Sequence, residues 1–482
     1  MASLAPGLDG DEWVTSGPVR LDELRGRVVV LVFFSAGCEA SLLRLREVTA
    51  VADAARGPVT VIGVHSPRLP FEANGGQLRS VLAQYQVALP VLHDPELRTW
   101  HRYNPEGWPA TFVIDARGKV LGAHHGIGDA GLLGETVALA LGSLPRDRSE
   151  IPPAPAAAPL PLPHDDLAFP TAVALMTGGE LVVADFGHRR LLIFELSDDR
   201  RQATAAAEID GLGHPQSVAI DSADAIYVVE PLEGTVSFLD LRSRTRQLLA
   251  ADLVCPTGVT LDADGSVVVA DSGADKLYRV INGGPHNVRM GCIAGSGLTG
   301  TADGPSGQAD LAQPTGLART EAGLVFCDAA SSNLRLLTDN GKVATITGSE
   351  LGRPGLEDGP AHKALLQRPS DLTVLDDGSL VVADTGNNRL RRLAGRRLRT
   401  LGLSGLSRPM GVCALPDGFL AVADTGNNRI VIVDPDLQTA WPLALRGVLP
   451  PRELADTAAE NGAENGAENA AENAAENGAV LA

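Results

Sequence analysis

Apolar and polar stretches alternate in a repeating order along the second part of the chain. Each copy begins at a proline and runs through an apolar segment, a turn, a second apolar segment that ends in an acid, and a Gly/Asn-rich turn. The leading prolines are Pro170, Pro215, Pro256, Pro314, Pro369 and Pro409. Several short strands per unit with a period of about 40 residues are typical of a β-propeller. The pattern therefore predicts an all-β propeller of six blades.

The fifth copy shows the predicted blade most clearly. Segments 372–375, 380–384, 389–393 and 396–401 read as four antiparallel strands. The turn before the second strand contains Asp377-Gly378, and glycine accepts the positive φ that a hairpin turn requires. Copies five and six share the phrase DTGNNR after their second strand.

An acid ends the second strand of every copy. These acids are Asp185, Glu230, Asp271, Asp328, Asp384 and Asp424. We expect them to accept amide hydrogen bonds from the turn that follows, which is the common structural use of such a side chain. A metal-dependent enzyme would instead need histidines and acids that converge on the channel. The histidines in or beside the repeats, His164, His188, His214, His286 and His362, share no register, so we predict no metal and no cofactor.

Two connections between copies are enlarged, at residues 293–313 and 346–368. Both contain Asp-Gly-Pro, beginning at Asp303 and Asp358. Long loops on one rim of a rigid scaffold are where recognition usually concentrates. We expect these loops either to bind a protein partner or to pack over the rim as decorated turns. The copies resemble NHL repeats over about residues 169–445, and this resemblance implies a propeller that binds protein or RNA.

The first part of the chain has a different pattern. Segment 28–34 is continuously apolar, as in a buried strand, and leads through Cys38 into a helical pattern at 42–55. Further strands are expected at 59–64, 111–115 and 120–123, and helices at 76–85 and 95–103. This order of strand, cysteine and helix resembles the α/β thioredoxin-like fold. Trp108-Pro109 resembles the segment that carries the cis-proline facing the active cysteine in that family.

The chemistry expected at Cys38 follows from its place at the start of a helix, where unpaired amides and the helix dipole favour a thiolate. Thioredoxins carry a second cysteine three residues later, and here that position is Ser41. The aromatic residue usual before the cysteine is replaced by Gly37. Because no other cysteine occurs before Cys255, the domain is at most monothiol.

Three interpretations of Cys38 remain open. It forms mixed disulfides that a small thiol or a cysteine elsewhere resolves, with Pro109 shaping the groove and Ser41 at most bonding the thiolate. Alternatively, it is an inert small residue in a domain kept for docking. The third is a one-cysteine peroxidase, because Ser35 stands three residues before it, although Leu31 replaces the proline expected upstream.

Taken together, the two parts resemble the family that joins a thioredoxin-like domain to NHL repeats. We predict a thioredoxin-like domain at 1–144, a linker at 145–164, a six-bladed propeller at 165–449 and a low-complexity acidic tail at 450–482. The linker contains seven prolines and reads as an extended spacer. The tail repeats Ala-Glu-Asn and lacks apolar bulk, which predicts disorder.

Charge and cysteine usage limit the partners and the compartment. The net charge is -19, which argues against nucleic acid. One basic stripe runs against this balance, and we interpret it as protection of an exposed outer strand rather than as an RNA surface; it comprises Arg389, Arg391, Arg392, Arg396, Arg397 and Arg399. Five scattered cysteines and the absence of a signal-peptide pattern at residues 1–14 predict a cytoplasmic protein with free thiols. No segment is apolar enough to predict a membrane span.

Overall fold

The computed structural model describes residues 3–163, 165–282, 288–348 and 353–450. Of the predicted acidic tail it covers only Pro450, and it leaves out His164 and His286, so the predictions for these residues lie outside the described part. The thioredoxin-like region and the propeller together form a single compact unit, Met1–Arg446.

The N-terminal region is the predicted α/β thioredoxin-like fold. Its strands are β1 (Glu12–Trp13), β2 (Val28–Phe34), β3 (Val59–His65), β4 (Val91–His93), β5 (Ala110–Ile114) and β6 (Val120–His125). Its helices are α1 (Glu39–Ala54), α2 (Gly75–Gln84), α3 (Arg98–Tyr103) and α4 (Ala130–Leu141), with a short 3-10 helix at Pro70–Ala73. The strand order is β1-β4-β3-β2-β5-β6.

Strand β2 lies in the middle of this sheet because all seven of its residues are apolar and can be covered on both faces. It pairs in parallel with β3 and antiparallel with β5. One face of the sheet packs against α1, α2 and α4, through residues such as Leu45 and Leu133. The other face packs against Trp100 and Tyr103 of α3. The continuous apolar run thus explains a two-sided core.

The C-terminal region is the predicted six-bladed propeller, and each blade is an antiparallel sheet. Blades one to three comprise Pro170–Leu175, Leu181–Asp185, Arg190–Leu196 and Gln202–Ile209; Ser217–Ile220, Ile226–Glu230, Thr235–Asp240 and Thr245–Ala250; and Pro256–Leu261, Val267–Asp271, Lys276–Asn282 and Val288–Ala294.

Blades four to six follow the same order. They comprise Pro314–Thr320, Gly323–Asp328, Asn333–Thr338 and Lys342–Thr345; Asp371–Val374, Leu380–Asp384, Arg389–Ala394 and Arg397–Thr400; and Pro409–Ala414, Leu420–Asp424, Arg429–Val433 and Ala440–Pro442. A last strand, Ala444–Arg446, pairs in parallel with the outer strand of blade one. This strand thereby joins the last blade of the propeller to the first.

Threonine hydroxyls next to the leading prolines form hydrogen bonds between neighbouring blades around the channel. Thr171 Oγ1 donates to Pro215 O at 2.9 Å, and Thr315 Oγ1 donates to Pro369 O at 3.2 Å. The strands approach so closely that a Cβ at Gly316 would lie 2.5 Å from Asp371 Cα. Small residues at this position therefore allow the first strands to pack around a narrow channel.

The acids at the ends of the second strands accept backbone amides from the segment before the blade as well as groups from the turn that follows. Asp384 Oδ1 accepts the amide of Gln367 at 2.7 Å, and Asp424 Oδ1 accepts that of Ser407 at 2.7 Å. These amides lie in the segment that enters the same blade. The predicted bond from the following turn is present at Asp271, whose Oδ1 accepts the amide of Ala274 at 3.3 Å. In blade five the following turn contributes a side chain, and Asn387 Nδ2 donates to Asp384 Oδ2 at 2.8 Å. Each acid thus joins two ends of its blade.

The two Asp-Gly-Pro loops add a short fifth strand to blades four and five, Gly304–Pro305 and Gly359–Pro360. Asp303 accepts from Thr345 N and pairs with Arg335 at 2.9 Å. Asp358 makes the equivalent contacts with Thr400 N and Arg391. Both carboxylates therefore hold the outer edge of a blade, and recognition of a partner by these loops stays a prediction.

The predicted basic stripe is interrupted by a buried arginine. The side chain of Arg391 is 0% exposed, and it pairs with Asp384 at 2.7 Å and with Asp358 at 2.9 Å. Arg392 binds Asp377 instead of facing solvent freely. The expectation of a stripe was wrong for Arg391, because the third strand turns this residue toward the acid of the second strand. Arg396, Arg397 and Arg399 are exposed as expected.

Candidate functional site

Cys38 lies at the N-terminal end of α1, directly beyond the end of β2. It is the N-cap residue with extended backbone angles, φ -120° and ψ 109°. Its side chain is buried, with only 3% of the residue exposed. The amide of Gln313, a propeller residue, donates from Nε2 to Cys38 Sγ at 3.3 Å. The thiol of one domain is therefore covered by the other.

The other two candidate residues lie at the same end of the sheet. Pro109 follows a cis peptide bond from Trp108 and directly precedes β5. Phe33, near the end of β2, pairs with Ala110, the first residue of β5. Pro109 before β5 and Cys38 after β2 therefore lie at the same end of two neighbouring strands. Ser41 is fully buried in the first turn of α1, and its Oγ has no hydrogen-bond partner. In this structure Ser41 makes no hydrogen bond to the thiol.

The space around Gly37 is too small for the aromatic residue that usually precedes the cysteine. A Cβ at this position would lie 2.4 Å from Glu72 Oε1 and 3.3 Å from Arg368 Cδ. Glu72 is fixed there by Ser35 Oγ, which donates to Glu72 Oε2 at 2.6 Å. The space that a larger side chain would need is occupied by an acid of the thioredoxin-like domain and an arginine of the propeller.

The residues that precede the leading prolines form the propeller's side of the junction. Phe169, Gln313, Arg368 and Arg408 all have left-handed backbones, with φ of 54°, 56°, 47° and 46°. Gln313 contacts Cys38, and Arg368 lies 3.6 Å from Glu39. Large residues adopt this conformation only when their surroundings hold them.

The turns of the preceding blades hold these left-handed residues. Asn388 Oδ1 accepts the amide of Arg408 at 2.7 Å, and Asn428 Oδ1 accepts that of Phe169 at 3.0 Å. Asn388 and Asn428 are the second asparagines of the two DTGNNR phrases. The repeat motif thus does more than turn the chain. It fixes the residues that reach the thioredoxin-like domain.

Other contacts extend the junction around the ring of blades. Arg408 donates to Ser80 Oγ at 3.0 Å and to Gln84 Oε1 at 2.5 Å. At blade two, Arg46 donates to the carbonyl oxygen of Leu232 at 3.3 Å. The ring of Tyr85 lies 5.4 Å from that of Phe186. Helices α1 and α2 therefore both rest on the propeller.

A cavity lies between the two domains beside the thiol. It has an empty volume of about 760 Å³, part of it open to solvent. Gly37 and Glu39, the neighbours of Cys38, both line it. Its walls come from α1, α2, the Pro70–Ala73 turn and the inner ends of propeller blades. A ligand there would lie next to the start of α1.

Glu39 reaches from the helix into the central channel of the propeller, where it lines a second, smaller space together with Asp371. Burial raises the pKa of Glu39, and Arg368 opposes the shift. Burial likewise raises the pKa of Asp371, to about 7. Two acids with raised pKa values thus face the inside of the channel.

Cys255 is the propeller thiol that belongs to this junction. It precedes Pro256 just as Gln313 precedes Pro314, and the two first strands are neighbours, with Thr257 Oγ1 donating to Pro314 O at 3.2 Å. Burial raises the pKa of Cys255 well above its usual range, and the charges of Glu39 and Cys38 add to the shift. All five cysteines are free thiols in this structure.

The sequence pattern points to Cys38, Ser41 and Pro109, whose role stays a prediction, but not to the residues that surround them in the structure. The missed residues are Glu39, Glu72, Gln84, Tyr85, Gln313, Arg368 and Arg408. One signal was available, because the residue before each leading proline occupies the same place in every repeat. Contacts between separate domains leave no such periodic trace.

The described residues were also compared with what a metal site and a membrane-spanning helix require. Within the described residues, no three His, Cys, Asp or Glu side chains form a group that could hold a metal ion. None of the helices in those ranges combines the length and apolar character needed to cross a bilayer.

Comparison with known families supports both halves of the fold. The AhpC/TSA family model matches residues 5–123. The NHL repeat model matches residues 366–393 and 406–433, which are blades five and six.

Three relatives differ in how much of the chain they share. NHL repeat-containing protein 2 of Gallus gallus is 26% identical, with 80% of this chain and 61% of that protein covered. Protein SUPPRESSOR OF QUENCHING 1, chloroplastic, of Arabidopsis thaliana is 24% identical, with 82% and 42% covered. Thiol-disulfide oxidoreductase YkuV of Bacillus subtilis (strain 168) is 24% identical, with 26% and 85% covered. The chain thus spans less than two thirds of the first two relatives.

The order of the two halves is the same as in the longer matches. An AhpC/TSA-type thioredoxin-like domain is followed by NHL repeats in a six-bladed propeller. The chain is therefore homologous to NHL repeat-containing protein 2 over most of its length, through both its thioredoxin-like domain and its NHL propeller.

Proposed function

We propose that this protein carries out thiol-disulfide exchange through Cys38 at a site completed by the propeller. The observation that carries the proposal is the contact of Gln313 Nε2 with Cys38 Sγ, at the N-terminus of α1. An amide donor and a helix N-terminus both stabilise a thiolate. A relative of the thioredoxin-like domain named as a thiol-disulfide oxidoreductase supports the same chemistry.

The first step is attack of the Cys38 thiolate on one sulfur of a substrate disulfide. A bond forms between Cys38 Sγ and that sulfur, the substrate's S–S bond breaks, and the second substrate sulfur leaves as a thiolate. Because Cys38 is 3% exposed, the junction must open for the substrate to reach it. The propeller therefore controls access to the thiol.

Resolution of the mixed disulfide can follow one of two routes, since Ser41 cannot supply a thiol. A small thiol can attack the mixed disulfide and regenerate Cys38. Alternatively, the thiolate of Cys255 attacks Cys38 Sγ, releases the substrate as a thiol and leaves a Cys38–Cys255 disulfide, so that the substrate gains two electrons and the protein loses two. Burial and the charge of Glu39 raise the pKa of Cys255 and so oppose its thiolate, which makes this route slow while the two domains stay docked.

Capture of mixed disulfides from cells tests the proposal. Acid-quenched extracts from cells that carry the full chain should contain disulfide-linked complexes, and a Cys38→Ser variant should contain none. A Cys255→Ser variant should accumulate more of these complexes if Cys255 resolves them, and the same amount if a small thiol does. Equal yields from wild type and Cys38→Ser would refute the proposal.

The redox-inert scaffold is the second candidate, and the burial of Cys38 favours it. In that case the outer edges of the propeller bind a protein partner, and the thioredoxin-like domain only docks. A one-cysteine peroxidase is less well supported, because the Ser35 hydroxyl binds Glu72 and Leu31 is a buried β2 residue. For the first candidate we propose a reducing, cytoplasmic location, since its free cysteines need one.

A further inference from the structure

The cavity between the domains contains a cation without a counter-ion. Arg408 lines it and donates only to the neutral atoms Ser80 Oγ and Gln84 Oε1. Among the described residues, no carboxylate lies within ion-pair distance of its guanidinium, whereas the neighbouring Arg368 faces Glu39 at 3.6 Å. Burial lowers the pKa of Arg408 to about 10, so it remains charged at neutral pH. A partly buried cation without an ion-pair partner gains when an anion joins it.

The same cavity contains an acid without a cation. Glu72 is 3% exposed, and its Oε2 accepts from Ser35 Oγ and from the amide of Arg68. Its Oε1 is buried and has no hydrogen-bond partner. Gln84, which is 1% exposed, likewise has a buried Nε2 without a partner. Unsatisfied buried polar atoms in a cavity lining are places where a ligand would find partners.

The wall between these polar groups is mostly apolar. Phe71, Leu78, Val81, Tyr85 and Met410 line it. The empty volume of about 760 Å³ includes space open to solvent, so the cavity is a partly open cleft and not an enclosed chamber. An inorganic anion would satisfy Arg408 but would leave this surface and Glu72 unused.

We propose that the cavity binds a short free peptide that carries a thiol or disulfide, with its carboxylate on Arg408 and its ammonium group on Glu72. The thiol or disulfide part of the assignment rests on the proposed function, since Gly37 and Glu39 on either side of Cys38 line the same cavity. Gln84 Nε2 would donate to a carbonyl or carboxylate oxygen of the peptide. A free peptide carries an ammonium group and a carboxylate at its two ends, whereas an internal segment of a protein carries neither.

Titration calorimetry of the full chain with S-methylglutathione tests the assignment, because this peptide has both charged ends and no exchangeable sulfur bond. We expect measurable binding to wild type and at least about tenfold weaker binding of the analogue in which the carboxylates are amides. An Arg408→Gln variant should bind the carboxylate form about tenfold more weakly and lose the discrimination. Arg46→Gln, which breaks a junction contact outside the cavity, should behave as wild type.

Small-angle scattering would show whether Arg408→Gln separates the domains. If it does, a second variant, Glu72→Gln, tests the assignment independently. Glu72→Gln should lose the preference for the free peptide over its N-acetylated form. No binding to wild type at millimolar peptide, or unchanged discrimination in both variants, would overturn the assignment. Charge-dependent binding without any Cys38 adducts would contradict the proposed exchange alone, and Cys38 adducts without such binding would contradict this inference alone.

Discussion

At the scale of single residues, the site depends on what surrounds Cys38 more than on the cysteine itself. Gln313 contacts the sulfur, Ser41 lacks a partner, and Gly37 leaves space for Glu72 and Arg368. The nearest obstacle to a larger residue is Glu72 of the same domain, and Arg368 of the propeller adds to it.

Gly37→Ala should destabilise the junction. The new Cβ would meet Glu72 Oε1 at 2.4 Å, and overpacking of this kind costs about 1–3 kcal/mol. Gly107→Ala is the matched control, since no atom lies within 4 Å of its Cβ position. Denaturant unfolding of the two variants should separate them, and equal stabilities would show that the space around Gly37 is not restricted.

A buried histidine pair in the same domain predicts sensitivity to acid. His65 Nδ1 lies 3.0 Å from His93 Nδ1, and burial, with a smaller contribution from His93, lowers the pKa of His65 from 6.5 to about 3. The unfolded chain therefore binds this proton first as pH falls below about 6.5. The contribution of neutral His65 to the free energy of unfolding should be lost between about pH 6.5 and about 3.

The wild type and a His65→Asn variant compared at pH 6.5 to 5 isolate this effect. The wild type should lose up to about 1.4 kcal/mol per pH unit more than the variant, which is the value for one proton. Buried acids with raised pKa values act in the opposite direction, but they are common to both proteins and cancel in the difference. Parallel pH profiles would show that His65 is not the group responsible.

At the scale of elements, the repeat determines both the blade and the junction. The acid of the second strand joins the two ends of its blade, and the second asparagine of DTGNNR holds the left-handed residue of the next blade. Strands of blade five were predicted to within about one residue, because alternation and Asp-Gly turns are local signals. The fifth strand in blades four and five and the closing strand Ala444–Arg446 were not predicted, since two or three residues carry no periodic pattern.

Arg391→Met should be far more damaging than its place in an arginine-rich segment indicates. The substitution leaves Asp384 buried without its ion-pair partner, and burial already raises the pKa of Asp384 to about 6. Breaking a buried pair in this way costs about 3–5 kcal/mol. Arg396→Met, at an exposed residue of the same hairpin, should change stability by less than about 0.5 kcal/mol. Similar losses in the two variants by denaturant unfolding would contradict the assigned role of Arg391.

At the scale of the whole molecule, the thioredoxin-like domain and the propeller form one compact unit with Cys38 at their junction. The sequence predicted both folds, and Cys38 remains a candidate, but a proline-rich linker predicts separation more readily than docking. Residues such as Arg408 and Gln84 meet only in three dimensions, 324 positions apart in the chain. The site therefore could not be assembled from either domain's pattern alone.

Cys38 should be a working thiol in the docked protein, and the mass of the intact protein after incubation with glutathione disulfide shows whether it is. Cys292 is exposed and reports that the reagent is active. We expect modification at Cys38 as well, either as a glutathione adduct or as a Cys38–Cys255 disulfide, and its loss in Cys38→Ser. Complete reaction of Cys292 with Cys38 left unmodified over hours would contradict it.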